Sequence, residues 1–132
     1  MPYRAPLEEY RFLLDHVVDY AQIADTDRFC EASSDVVEAV LSEAGRLCEE
    51  VLDPLQRNGD TDPARLENGT VRTSKGFAEG YQAIANGGWV STSASPEYGG
   101  MGLPLTVTTA VNEMMAGACL ALQLNPLMTQ GQ

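Results

Sequence analysis

Pro96-Glu97-Tyr98-Gly99-Gly100-Met101-Gly102-Leu103 runs almost at once into an apolar stretch from Leu105 to about Leu124. Three glycines in four positions let a loop lie flat against its surroundings, because no Cβ holds a neighbour away. Val107, Val111, Met114, Met115, Ala118 and Leu122 then follow at helical spacing. That helix is too apolar for a surface helix, and with the loop it reads as a piece of a larger buried assembly, with Pro104 near its first turn.

Working outward, Ser33 or Ser34 can cap a second strong helix with Asp35 in its first turn. Val37, Val40, Leu41, Ala44, Leu47, Cys48, Val51, Leu52 and Leu55 trace one stripe over about five turns, with Glu38, Glu43, Arg46, Glu49 and Glu50 off it. Pro54 predicts a kink or break near residues 50–53, since an interior proline costs about 3 kcal/mol. Asn58-Gly59-Asp60 reads as the stop of this segment. A first helix is expected over Leu7–Tyr20, with Pro6 at its start, Glu8 and Glu9 in its first turn, and Leu7, Tyr10, Leu14 and Val17 on one face. Residues 21–33 read as a looser connection. Glu67-Asn68-Gly69-Thr70-Val71 predicts a tight hairpin or loop. Thr73 or Ser74 would cap a shorter helix carrying Phe77, Tyr81 and Ile84, ending at Asn86-Gly87-Gly88. Trp89-Val90 is a short apolar anchor and Ser91–Ser95 a linker. The fold class expected is all-α: a small bundle-like domain of about four to six helices over residues 1–132.

The bulk composition excludes several function classes. Eight basic residues scattered against a net charge of -11 cannot track a phosphate backbone, so no nucleic acid is expected. Cys30, Cys48 and Cys119 are odd in number and lack CxxC spacing, which favours reduced thiols and a cytoplasmic setting. Met1-Pro2-Tyr3-Arg4 carries no signal-like apolar run. No stretch reaches the roughly 18 unbroken apolar residues of a membrane span. His16 is the sole histidine and no cysteine has a histidine at ligand spacing, so neither a metal site nor a histidine-based catalytic set is expected. Glu8-Glu9 and Glu49-Glu50 read as solvated helix faces. Glu113, between apolar turns of the last helix, stands apart. It reads either as a polar group beside a binding cavity or as a carboxylate facing a crack or paired with an arginine. The glycine loop lacks the Gly-Lys-Ser/Thr of a phosphate loop and any βαβ setting.

Taken in order, Gly88-Trp89, the Pro96–Leu103 loop and Asn112-Glu113-Met114-Met115-Ala116 resemble the N-terminal helical domain of the acyl-CoA dehydrogenase family. Val51–Asp60 is similar to the end of that family's second helix. The resemblance is nearest to the bacterial branch acting on 3-methylthiopropanoyl-CoA or other acyl-CoAs. It implies a flavoenzyme of fatty acid metabolism that uses FAD, an acyl-CoA substrate and an electron-transfer acceptor. Such an enzyme takes hydrogen from Cα and Cβ of a thioester to give a trans-2-enoyl-CoA. It also implies that the base and most flavin contacts belong to a middle β domain and a C-terminal helical domain outside these 132 residues. No catalytic, cofactor-binding or metal residue is therefore assigned, and the 132 residues alone are expected to be inactive. Glu113, Met114, Gly117 and Ala118 are the candidates for one wall of the acyl pocket, against the plain alternative of helix-on-helix packing. The other reading is a stand-alone helical interaction module docking through Leu120–Met128. Both readings expect self-association through this apolar C-terminal helix.

Overall fold

The computed structural model describes residues 1–130, with six α-helical segments and one small hairpin, so the domain is all-α. In chain order these are α1 (Leu7–Leu13), α2 (Tyr20–Ala24), α3 (Ser34–Leu47), α4 (Asp53–Thr61), β1 (Arg65–Glu67), β2 (Thr70–Arg72), α5 (Phe77–Asn86) and α6 (Leu105–Gln130). Two π-helical turns, Leu14–Val18 and Cys48–Leu52, continue α1 and α3, and short 3₁₀ turns occupy Trp89–Ser91 and Pro96–Tyr98.

The expected first helix is interrupted. Its π turn ends at Asp19, which takes a left-handed conformation (φ 54°, ψ 59°) that aspartate tolerates better than most residues. Tyr20 then restarts the helix, and its hydroxyl donates to the Ala32 carbonyl at 2.7 Å, so residues 21–33 close on themselves. Tyr10 and Leu14 are buried as expected, but Val17 lies in solvent because the π turn rotates it off the stripe.

Ser33 caps α3 by accepting the Val36 N–H. The stripe along α3 holds: Val37, Leu41, Ala44, Leu47, Cys48 and Leu52 are buried, with Val40, Val51 and Leu55 packed at its margin. Pro54 does not break the segment, but regular α-helix is interrupted near the expected place, by the π turn at Cys48–Leu52. The π turn at Cys48–Leu52 widens the helix just ahead of it, and Pro54 enters α4 in the first turn, where a missing N–H is harmless. Asn58-Gly59-Asp60 likewise does not end it, since α4 continues to Thr61. The hairpin forms as expected, with Asn68 (φ 51°) and Gly69 (φ 76°) at its turn and Leu66 opposite Val71. Gly76, rather than Thr73 or Ser74, stands at the start of α5. Gly88 (φ 74°) turns the chain out of α5, and the buried Trp89 indole lies where a Cβ on Gly87 would stand.

The core gathers around α6. Val107, Val111, Met114, Met115, Ala118 and Leu122 are all buried, against α3, its π turn, α4 and α5. Yet α6 is not one straight rod. Cys119 adopts φ -156° and ψ 84°, and the chain turns sharply there. Gln123 Nε2 donates to Asn112 Oδ1 at 2.9 Å, although eleven residues of straight helix would separate them by about 16 Å. The Leu122 backbone N–H lies near the Cys119 sulfur and favours its thiolate, against the larger upward push of burial. By length and composition alone, Leu105–Met128 could cross a membrane. Here it is the core helix, cornered at Cys119 and carrying a part-buried amide pair.

The glycine loop seats the start of α6. N–H groups of Gly100, Met101, Gly102 and Leu103 donate to the carbonyls of Ser95, Ser91, Ala94 and Thr92. Below it the buried hydroxyls of Thr92 and Thr108 bond at 3.2 Å. Ser91–Ser95 is thus an anchored turn and not a linker. A Cβ on Gly100 would stand 2.1 Å from the Ala94 carbonyl oxygen, a backbone atom that cannot move alone. Gly100→Ala should therefore lower stability by about 2–3 kcal/mol, read as a lower midpoint in urea unfolding, whereas Gly69→Ala, with open space around it, should act only through its positive φ.

Candidate functional site

The four residues singled out on α6 occupy two adjacent rows of the helix, and the boundary of burial runs between them. Met114 and Ala118 are each 0% exposed and belong to the domain's own core. Glu113 and Gly117, one turn apart on the neighbouring row, lie at the surface.

That outer row meets the N-terminal segment. Gly117 lies under the Tyr3 ring: a Cβ there would come 3.0 Å from the ring edge, so the small residue makes room for an aromatic. Glu113 lies beside the Tyr10 hydroxyl and helps keep it protonated, a tyrosine neighbour where the sequence had offered a crack or an arginine. The segment itself is clasped by Glu49, whose two oxygens accept from Arg4 Nη1 at 2.7 Å and from the Ala5 N–H at 3.0 Å. The Ala5 N–H, then Arg4, hold the Glu49 carboxyl below the usual glutamate range. Ala5 in turn packs on Gly45 of α3. Glu49 is thus a clasp as well as part of a helix face. Neither it nor Tyr3 was singled out by sequence. Tyr10 was legible only as one member of an apolar stripe.

Burial, then the charges of Cys48, Glu113 and Glu49, push the Tyr3 phenol up to about 12. Tyr10 is raised further, again by burial first and then by Glu113. Burial also pushes the Cys48 thiol up to about 12. Each group favours its neutral form in the folded domain, so the unfolded chain releases protons first as pH rises. The stability they contribute is whole below pH 9 and falls above it, first for Cys48 and then, beyond pH 10, for the tyrosines. Thermal melts from pH 8 to 11.5 should show this decline. Cys48→Ala should flatten its lower part and Tyr10→Phe its upper part.

Two concavities lie elsewhere. A pocket of about 100 Å³ between α1 and α3 has Leu7, Leu14, Val37 and Leu41 as its apolar lining, and the Arg11–Glu38 ion pair at its rim. A shallow open groove of about 800 Å³ runs between α5 and the second arm of α6, past Phe77, Tyr81, Leu122 and Asn125. His16 is exposed and rests against the edge of Phe12. Among the described residues, no three His, Cys, Asp or Glu side chains stand together as a metal set.

The glycine loop does not fit a flavin pyrophosphate. Its N–H groups from Gly100 to Leu103 already donate to loop carbonyls, and an anion there would find no amide turned outward.

No family model matches the sequence. Over 131 residues, 99% of its length, the chain is 38% identical to a 3-methylmercaptopropionyl-CoA dehydrogenase of Ruegeria pomeroyi. It spans 22% of that protein's length. Over nearly its whole length, then, this mostly helical chain is a relative of part of an acyl-CoA dehydrogenase.

Proposed function

We propose that the chain is the N-terminal helical domain of a flavin-dependent acyl-CoA dehydrogenase, an enzyme that converts an acyl-CoA thioester to its trans-2-enoyl-CoA. The observation that carries this reading is identity at 38% maintained over 99% of the chain. A flavin held by the rest of the enzyme would supply the redox chemistry; these residues would supply shape. In this reading the outer row of α6, with Glu113 and Gly117 under Tyr10 and Tyr3, faces the acyl side, and Met114 and Ala118 back that wall from within. The exposed Leu120, Leu124, Leu127 and Met128 of the second arm meet the enzyme's later domains. Buried, unpaired Cys48 and Cys119 agree with a reducing, cytoplasmic setting.

A chimera tests the proposal. Replacing the matching part of the Ruegeria pomeroyi enzyme with this chain should give a protein that folds, holds FAD and oxidises an acyl-CoA. Gly117→Leu in that chimera should raise KM or shift the preferred acyl length, with flavin content unchanged. The 132-residue chain alone should neither quench flavin fluorescence at micromolar concentration nor show dehydrogenase activity. A chimera that folds with full flavin and shows no oxidation of any acyl-CoA would overturn the reading.

The same exposed leucines support a second reading, a stand-alone interaction module docking through Leu120–Met128. On that reading Leu124→Asp abolishes partner binding. On the first it impairs the chimera's assembly.

A further inference from the structure

The cavity between α1 and α3 plays no part in the proposed wall. Leu14, Tyr20, Val37 and Leu41 line its inner side, each less than a tenth exposed, and Leu7 adds a further apolar edge. Arg11 and Glu38 stand at the solvent end, paired with one another, their side chains 52% and 57% exposed. Asp15, Ser34 and Ser42 complete the lining. An apolar body closed at one end by a few polar groups is the layout of a small-molecule site.

The backbone beside the cavity is irregular in two ways. Leu14 and Asp15 belong to the π turn Leu14–Val18, a form that fits an extra residue into a helix and recurs at functional sites. Directly after it, Asp19 holds a left-handed conformation that is unfavourable for a residue with a side chain. A regular α-helix through these residues would avoid both costs. It would also shift Tyr20 around the helix axis, and Tyr20 closes the cavity on the α2 side. The hydroxyl proton of Tyr20 is already engaged by the Ala32 carbonyl.

Size and charge select the ligand. The cavity measures about 100 Å³. An apolar protein cavity of ~150 Å³ holds benzene, so a somewhat smaller body of about five carbons fits here. The polar end carries two carboxylates, Asp15 and Glu38, and the Arg11 guanidinium. Glu38 takes that guanidinium, and among the described residues Asp15 has no cation partner. A ligand carboxylate or phosphate would meet Asp15 in a chain of net charge -11. An ammonium would meet an open carboxylate.

We propose that this cavity binds a small alkylamine, its branched or cyclic body between α1 and α3 and its ammonium at Asp15. Filling a void bordered by apolar side chains supplies the affinity, and the charge at the mouth selects the sign. The site does not depend on the enzyme reading and shares no lining residue with the outer row of α6 or with Leu120–Met128.

Titration of the nitrogen-15-labelled 132-residue protein with 3-methylbutylamine, at neutral pH and low salt, tests this by NMR. Far-UV circular dichroism confirms that each variant folds. The amides of Leu14, Asp15, Val37 and Leu41 should shift together and saturate with a Kd of about 1 mM or tighter. 3-Methylbutanoate, the same body carrying a carboxylate, should bind at least about tenfold more weakly. Asp15→Asn should weaken the amine at least about threefold, an effect that fades as salt is raised, and leave the neutral 3-methylbutanol unchanged. Val37→Ile, which places an added methyl group in the cavity, should weaken amine and alcohol alike. Each of three results sinks the proposal: no saturable shift by about 20 mM amine, a carboxylate that binds as well as the amine, or an amine affinity indifferent to Asp15→Asn.

Discussion

The hydrogen bond from Gln123 to Asn112 marks the constraint on which this domain depends. It exists only because α6 turns at Cys119, and the turn makes one chain segment serve as two core helices. The first arm presents Val107, Val111, Met114 and Ala118 to α3 and its π turn, while the second sends Leu122 toward Gly80 and Leu55. A turn in a buried helix exposes backbone groups that must find partners. The amide pair spans the corner. Among the described residues Gln123 Oε1 has no hydrogen-bond partner, so the polar device is only partly satisfied by them.

Everything upstream serves to position that helix. The glycine loop uses its own N–H groups on loop carbonyls, the Thr92–Thr108 bond pins it, and Leu103 closes over the top. This accounts for a glycine-rich loop that could be mistaken for a phosphate cradle. Its donors are consumed in aiming α6, and Gly100 is small because the Ala94 carbonyl occupies the space a side chain would need. At the other end of the sequence, Glu49 straps the N-terminal residues over Gly45 and Gly117, so two glycines on two helices make the seat for one extended segment.

Kinship to an acyl-CoA dehydrogenase gives this architecture a sense that its own side chains do not. Two of its three thiols, Cys48 and Cys119, are buried and pushed toward their neutral forms, and no clustered metal set stands among its described residues. Its one well-placed carboxylate on α6, Glu113, lies beside a tyrosine. The wall proposed here is therefore a double layer, with core residues behind and a tyrosine-covered row in front.

Local features were legible in the sequence. The Ser33 cap, the Val37–Leu52 stripe, the Asn68-Gly69 turn and the Gly88 exit are each decided within a few residues, by capping chemistry, helical period and positive φ. The ordered Gly-Trp, glycine-loop and Asn-Glu-Met-Met set also pointed to the family before any contact was known. What needed the tertiary structure was everything set by partners distant in the chain. The π turn that absorbs Pro54, the left-handed Asp19, the corner at Cys119 and the division of Glu113 and Gly117 from Met114 and Ala118 leave no periodic signal. Period tells which residues share a helix face. Only packing decides where along that face burial stops, because the boundary belongs to the neighbour that covers it.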